Sequence, residues 1–315
     1  MNRVAARRVA ITGSSGLIGR ALSGALRRAG YDVAPLVRPS SDFAAVPEGD
    51  RILWDPDADA VEPGALEGLH GVFHLAGENI AGGRWTEARK RRIRDSRVRG
   101  TETLARALAA CERPPEVLIS ASAIGYYAYG DEPRDESHPA GDGFLAEVCR
   151  AWEAAAEPAR AAGLRVVHPR IAPVLSGEGG LLERLWLPFR LGLGGRIGSG
   201  RQMMSWCSLH DLVRALLFAL EREAPAGPFN ACSPNAVTNA EFTRALARLL
   251  HRPAVLPLPV FALRALAGEL SEEIAGSRNV VPARLLAWGF EFREPELEAA
   301  LRAAAEERDA PDSSG

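Results

Sequence analysis

Short apolar runs alternate with longer stretches of helical periodicity through the first half of this chain. Val9 to Ile11 is apolar and breaks at Thr12-Gly13-Ser14-Ser15-Gly16-Leu17-Ile18-Gly19 into a helical pattern that stops at Gly30. A second mostly apolar run, Tyr31 to Val37, ends at the turn-like Pro39-Ser40-Ser41. Arg51 to Asp55 reads as a third strand stopped by Pro56, Val72 to Gly77 as a fourth with a small-residue exit, and Glu116 to Ser120 as a fifth. Arg165 to His168 reads as a sixth, leading to Pro169-Arg170. Helical spacing fills the intervals: Arg84 to Arg99 flows into a helix through Leu104 and Leu108, and Asp142 to Ala162 is an alanine-rich amphipathic helix. This alternation predicts an α/β fold, a doubly wound parallel Rossmann-type sheet over residues 1–175.

From Gly177 the texture changes. A glycine-studded segment, Leu191 to Gly200, precedes Met203 to Asp211 and a helix to Leu220; helical patterns return at Thr238 to Leu250, Phe261 to Leu270 and Pro295 to Glu307. Residues 176–308 are therefore expected to form a smaller, mostly helical lobe over the carboxyl ends of the strands, with some segments rejoining the sheet. Asp309 to Gly315 is a polar tail expected to fray.

Composition narrows the function classes. Of 315 residues 47% are hydrophobic, and the formal net charge is −2 with a pI near 6.4, so neither a nucleic-acid nor a membrane partner is expected. Eight basic side chains lie between Arg84 and Arg99, but Glu87 and Asp95 interrupt them and only Trp85 could stack a base, which favours a solvated helix face. The four cysteines match neither a zinc spacing nor a disulfide framework, so no metal is expected and a reducing, cytoplasmic setting is. No apolar run approaches the roughly 20 residues of a membrane helix.

The glycine turn carries the clearest chemistry. Gly13 permits a tight turn, Gly16 lets backbone N–H groups approach a phosphate, and Gly19 lets the helix pack on the strand, while the helix N-terminus adds partial positive charge. Ser14, Ser15, Leu17 and Ile18 complete this predicted dinucleotide cradle. Where an NAD site puts an acidic residue, this chain has Val37-Arg38, so Arg38 is expected to hold the 2′-phosphate of NADP(H). Asp55 has two readings, acceptor from the adenine amino group or cap of the following turn. Leu75, Ala76 and Gly77 are expected to lie against the cofactor, and His74 reads as a core histidine. Ser122, Tyr126 and Tyr127 follow the fifth strand, where substrate collects in such sheets.

Thr12-Gly13-x-x-Gly16-x-x-Gly19, His74-Leu-Ala-Gly77 and Ser122 resemble an extended short-chain dehydrogenase/reductase of the NAD(P)-dependent epimerase/dehydratase group. Gly77-Glu-Asn-Ile80, Arg84-Trp-Thr-Glu87, Asp95-Ser-Arg-Val98, Pro188-Phe-Arg-Leu-Gly-Leu-Gly-Gly195 and Thr238-Asn-Ala-Glu-Phe242 are similar to its atypical branch with a C-terminal domain of unknown function. The resemblance covers essentially the whole chain. It implies a catalytic tyrosine with a lysine four residues later on the helix after the fifth strand, and there the sequence departs. The lone lysine, Lys90, precedes the tyrosines, and alignment on Glu153 puts Leu145 and Cys149 where that pair would stand. Ser122 is retained, and Arg97 replaces the superfamily's asparagine, implying a reach to the cofactor phosphates.

Two functions follow. One is an NADP(H)-dependent oxidoreductase or epimerase acting on a small molecule, with Tyr126 or Tyr127 as a non-standard acid beside Ser122 and a homodimer as the allowed assembly. The other is a catalytically inactive NADP(H)-binding redox sensor or regulatory protein, which needs no acid.

Overall fold

The computed structural model describes residues 7–39, 50–223 and 225–309. Ser40 and Ser41 of the predicted turn and residues 310–315 of the predicted tail lie outside the described residues. The first half runs β1 (Arg8–Thr12), α1 (Leu17–Arg28), β2 (Asp32–Val37), β3 (Ile52–Asp55), β4 (Ala60–Val61), β5 (Gly71–His74), α2 (Glu87–Ala109), β6 (Val117–Ser120), β7 (Ser122–Ala123), β8 (Gly130–Arg134), α3 (Phe144–Ala154), α4 (Glu157–Ala161) and β9 (Arg165–Ile171). The second runs β10 (Val174–Ser176), α5 (Gly180–Arg190), β11 (Met203–Met204), β12 (Cys207–Ser208), α6 (Leu209–Glu221), β13 (Gly227–Ala231), β14 (Val237–Thr238) and α7 (Asn239–Leu249). It ends in α8 (Val260–Ala267), α9 (Leu270–Ala275), β15 (Arg278–Val280), α10 (Ala283–Ala287) and α11 (Leu297–Asp309).

The main sheet has the order β13-β9-β6-β5-β1-β2-β3, parallel throughout, with β4 antiparallel on the β3 edge and β7 beside β9. Strands alternate their faces. Val9 and Ile11 pack with Leu22 and Leu26 of α1 and Leu212 and Leu216 of α6, while Ala10 packs on the other side with Leu36, Val72, Leu104 and Leu108. Burial on both faces is why these strands read as unbroken apolar runs. Between β1 and β5 the chain order reverses, which opens a crevice at their carboxyl ends.

Several boundaries differ from the sequence reading, each for a local reason. The helix expected over Asp142 to Ala162 divides into α3 and α4, because Pro158 in the first turn of α4 has no N–H to continue the ladder. The pattern over Phe261 to Leu270 breaks at Gly268, whose φ of 61° ends α8 before α9 begins. β9 continues past Pro169 to Ile171 because β13 pairs along it, Gly227 opposite Val167 and Ala231 opposite Ile171. That last strand comes from the stretch read as the second lobe, and so does α6, which packs on α1, β6 and β9. The lobe is not helical alone, since β14, β11, β15 and β8 form a four-stranded sheet in that order. Its own core joins Leu182 and Trp186 of α5, Phe242 and Leu246 of α7, and Leu297 and Leu301 of α11.

Candidate cofactor and active site

Backbone contacts fasten the glycine turn to the end of β5. The N–H groups of Leu75 and Ala76 donate to Thr12 Oγ1 at 3.0 and 3.1 Å. With its lone pairs so occupied, the Thr12 hydroxyl donates to His74 Nδ1 at 2.8 Å. His74 is fully buried; burial first, then the Arg97 charge, lowers its pKa to about 3, so it is a neutral core histidine.

Two of the turn glycines are required by the protein itself. Gly13 has φ of 68°, and a Cβ there would lie 2.9 Å from Ala76 N; one on Gly19 would lie 2.2 Å from Gly13 O. Gly16 differs: a Cβ would meet only Gly13 O at 3.3 Å, so its freedom serves whatever approaches from outside. Gly16 is also the N-cap of α1 and brings no capping side chain, which leaves first-turn N–H groups around Leu17 and Ile18 for an anion. Ser14 is half-buried, Ser15 is exposed, and Arg20 Nη1 donates to Ser15 O at 2.7 Å.

Along the same crevice, Leu75 and Ala76 are half-buried and Gly77 is exposed. Arg38 is exposed just past the end of β2. Asp55 Oδ1 accepts from the N–H groups of Asp57 and Ala58 at 3.0 and 3.3 Å, which is the turn-cap arrangement of its two readings. Arg97 does not extend freely from α2. Its guanidinium lies under Gly77 and 5.0 Å from the Trp152 ring centroid, and its Nη1 donates to the carbonyls of Glu78 and Ile93.

After β6 the three predicted hydroxyls have different fates. Ser122 is buried and donates to Glu153 Oε1 at 2.7 Å. Glu153 also takes a two-pronged contact from Arg170, Nε and Nη2 both at 2.8 Å. Arg170 Nη1 donates to Tyr127 Oη at 2.8 Å, and Tyr127 donates to Asn230 Oδ1 at 2.8 Å. Tyr127 is only 1% exposed, and burial pushes its hydroxyl up to about 12. Tyr127, one of the two candidate acids, thus has its proton committed to Asn230 inside the core. Tyr126, in a single 3-10 turn over Ile124–Tyr126, is half-buried, its ring lies 3.4 Å over the Arg170 guanidinium, and its hydroxyl has no partner among the described residues. Glu153 and Asn230 were not anticipated as members of this network; a carboxylate four residues past Cys149 on an otherwise apolar helix face was the available signal.

A sequence profile of the NAD dependent epimerase/dehydratase family matches residues 9–232. The chain belongs to this family. A second profile, the Domain of unknown function (DUF1731), matches residues 258–304. An epimerase family protein of Mycobacterium bovis is 45% identical over 296 residues, 93% of this chain and 96% of its own. The crystal structure of human epimerase family protein SDR39U1 with NADPH superposes with a TM-score of 0.85 at 34% identity, covering 95% of this chain and 99% of the human one. A nucleoside-diphosphate sugar epimerase from Corynebacterium glutamicum gives a TM-score of 0.78 at 36% identity over 95% of this chain and 58% of its own. The role is that of an NAD(P)-binding oxidoreductase or epimerase-like family member.

Within this family member, the helix face discussed above is apolar. Leu145 and Cys149 of α3 pack on Gly125, where a Cβ would come within 3.2 Å of Leu145 Cβ. Burial pushes the Cys149 thiol up to about 12, and its Sγ contacts Ala123 O at 3.6 Å. Phe144 and Leu145 are covered by Trp85, Ile93 and Leu270. Lys90 Nζ lies 5.6 Å from the Phe144 ring centroid at the edge of this cluster and is paired with Glu269 and Glu87. Among the described residues, no cluster of His, Cys, Asp or Glu could hold a metal, and no helix is long and apolar enough to cross a membrane.

Proposed function

We propose that this chain binds NADP(H) over the β1–β5 crevice and interconverts a small carbonyl compound and its alcohol, with Tyr126 as the proton donor. The observation that carries the reading is the sorting of the hydroxyls after β6. Ser122 and Tyr127 are consumed by the Glu153–Arg170 pair, whereas Tyr126 keeps a free hydroxyl. NADP(H) fits the residues present: a turn open to an outside ligand at Gly16, where a Cβ would meet only Gly13 O, an uncapped helix start at the same residue, and a cation, Arg38, at the end of β2. The crystallisation of human SDR39U1 with NADPH supports the same choice.

When bound, NADPH is the hydride donor of such a reduction. The backbone of Leu75 to Gly77 and the α1 N-terminus would orient it. Tyr126 Oη gives its proton to the substrate oxygen, the Arg170 guanidinium attracts the phenolate that remains, and solvent restores the proton. The packed Leu145–Cys149 face favours a second reading, a protein that binds NADP(H) and reports redox state without turnover. Following NADPH absorbance over a panel of aldehydes and ketones separates the two. Turnover that drops about tenfold or more in Tyr126→Phe supports the first; full activity in that variant removes Tyr126 from it, and no turnover in any carbonyl favours the second.

A further inference from the structure

Arg97 is a half-buried cation that makes no ion pair among the described residues. Its guanidinium is pressed between Gly77, where a Cβ would sit 3.2 Å from Cζ, and the Trp152 ring. Nη1 is spent on the carbonyls of Glu78 and Ile93, both at 3.0 Å; Nη2 and Nε have no acceptor among the described residues. Neighbouring acids are engaged elsewhere. The Glu78 carboxylate lies 3.6 Å from Arg89, Glu153 is held by Arg170 and Ser122, and the adjacent Cys149 thiol is neutral. The N–H of Nε and the one of Nη2 on the same side form the planar fork that matches a carboxylate.

We infer that Arg97 anchors a carboxylate of the substrate, making the substrate an oxo acid or a hydroxy acid. The inference rests on the proposed placement of substrate beyond β6. Arg97 borders Cys149, which touches Ala123 and Ser122 beyond β6, and its guanidinium also lies under Gly77 on the cofactor side, so loss of carboxylate binding without loss of NADPH binding separates a substrate carboxylate from the cofactor diphosphate. A guanidinium here would bind the carboxylate and hold the neighbouring carbonyl towards Tyr126.

The test titrates the full chain loaded with NADP+ with acetate against acetamide, benzoate against benzamide, and oxamate as an oxo-acid probe. Wild type should prefer a carboxylate to its amide. Arg97→Met should weaken that carboxylate roughly ten- to a hundredfold and leave NADPH affinity within about twofold, and Arg97→Lys should recover part of the loss. The inference fails if no carboxylate binds wild type, if amides bind equally, or if the loss falls on NADPH instead. NADPH binding without carboxylate binding defeats this inference alone; failure of NADPH to bind wild type defeats the proposed function with it.

Discussion

Replacing Glu153 by glutamine keeps the shape of the side chain and an acceptor for Ser122, but leaves the Arg170 guanidinium without its counter-charge. The pair is buried, with side-chain exposures of 3% for Arg170 and 14% for Glu153, so water does little to screen the loss. The contact from Nη2 is lost to an amide NH2, the one from Nε becomes a neutral hydrogen bond to the amide oxygen, and Arg170 otherwise keeps Tyr127 and the Tyr126 ring face. Removing one partner of such a pair costs about 3–5 kcal/mol. Unfolding entropy of about 2.1 cal/mol/K per residue gives roughly 0.7 kcal/mol per degree for 315 residues, so Glu153→Gln should melt about 4–7 °C lower. Thermal unfolding at neutral pH followed by circular dichroism reads this directly. The double variant Glu153→Leu with Arg170→Met should regain most of the loss, because neither charge is then stranded. A single variant melting within about 1 °C of wild type, or a double variant no better than the single, would refute the account of this pair.

Acid should destabilise the protein well before its carboxylates titrate. Burial lowers His74 to about 3 and His168 to about 4. The unfolded chain therefore binds the extra protons below about pH 6.5, and stability falls with pH by roughly 1.4 kcal/mol per unit for each histidine between about pH 6 and 4. Denaturant unfolding at several pH values checks this, and His168→Gln should flatten the slope. Gly19→Ala should cost both stability and NADPH affinity, since its Cβ would lie 2.2 Å from Gly13 O; unchanged affinity would show that the turn does not hold the cofactor. Arg38→Ala should cut the preference for NADPH over NADH about tenfold by calorimetry, with the wild-type preference shrinking at high salt. An unaltered ratio would remove Arg38 from the 2′-phosphate site.

Local patterns were informative where burial or backbone sterics acted within a few residues. The apolar runs at Val9, Val33 and Val72 had to be strands buried on both faces, and Gly13 and Gly19 occupy positions where a side chain collides with the backbone beside it. The end of α3 was harder to read. Pro158 sits inside a pattern of continuous alanine periodicity, and the missing donor matters more than the periodicity. β13 was illegible because Gly227-Pro228-Phe229-Asn230-Ala231 has weak strand character; it is a strand because β9 offers an open edge and Phe229 a place in the core.

Fold class and the tight glycine turn after β1 could be read from the order of residues, because each depends on spacing along one segment. The role open to each hydroxyl could not. Ser122, Tyr126 and Tyr127 lie within one short string, and nothing in that string distinguishes them. They are separated by partners distant in sequence: Glu153 on α3, Arg170 on β9 and Asn230 on β13. Packing brings one charged pair beneath the string, and hydrogen bonds to it are directional and few. The pair takes two of the hydroxyls and leaves the third, on Tyr126, without a partner among the described residues.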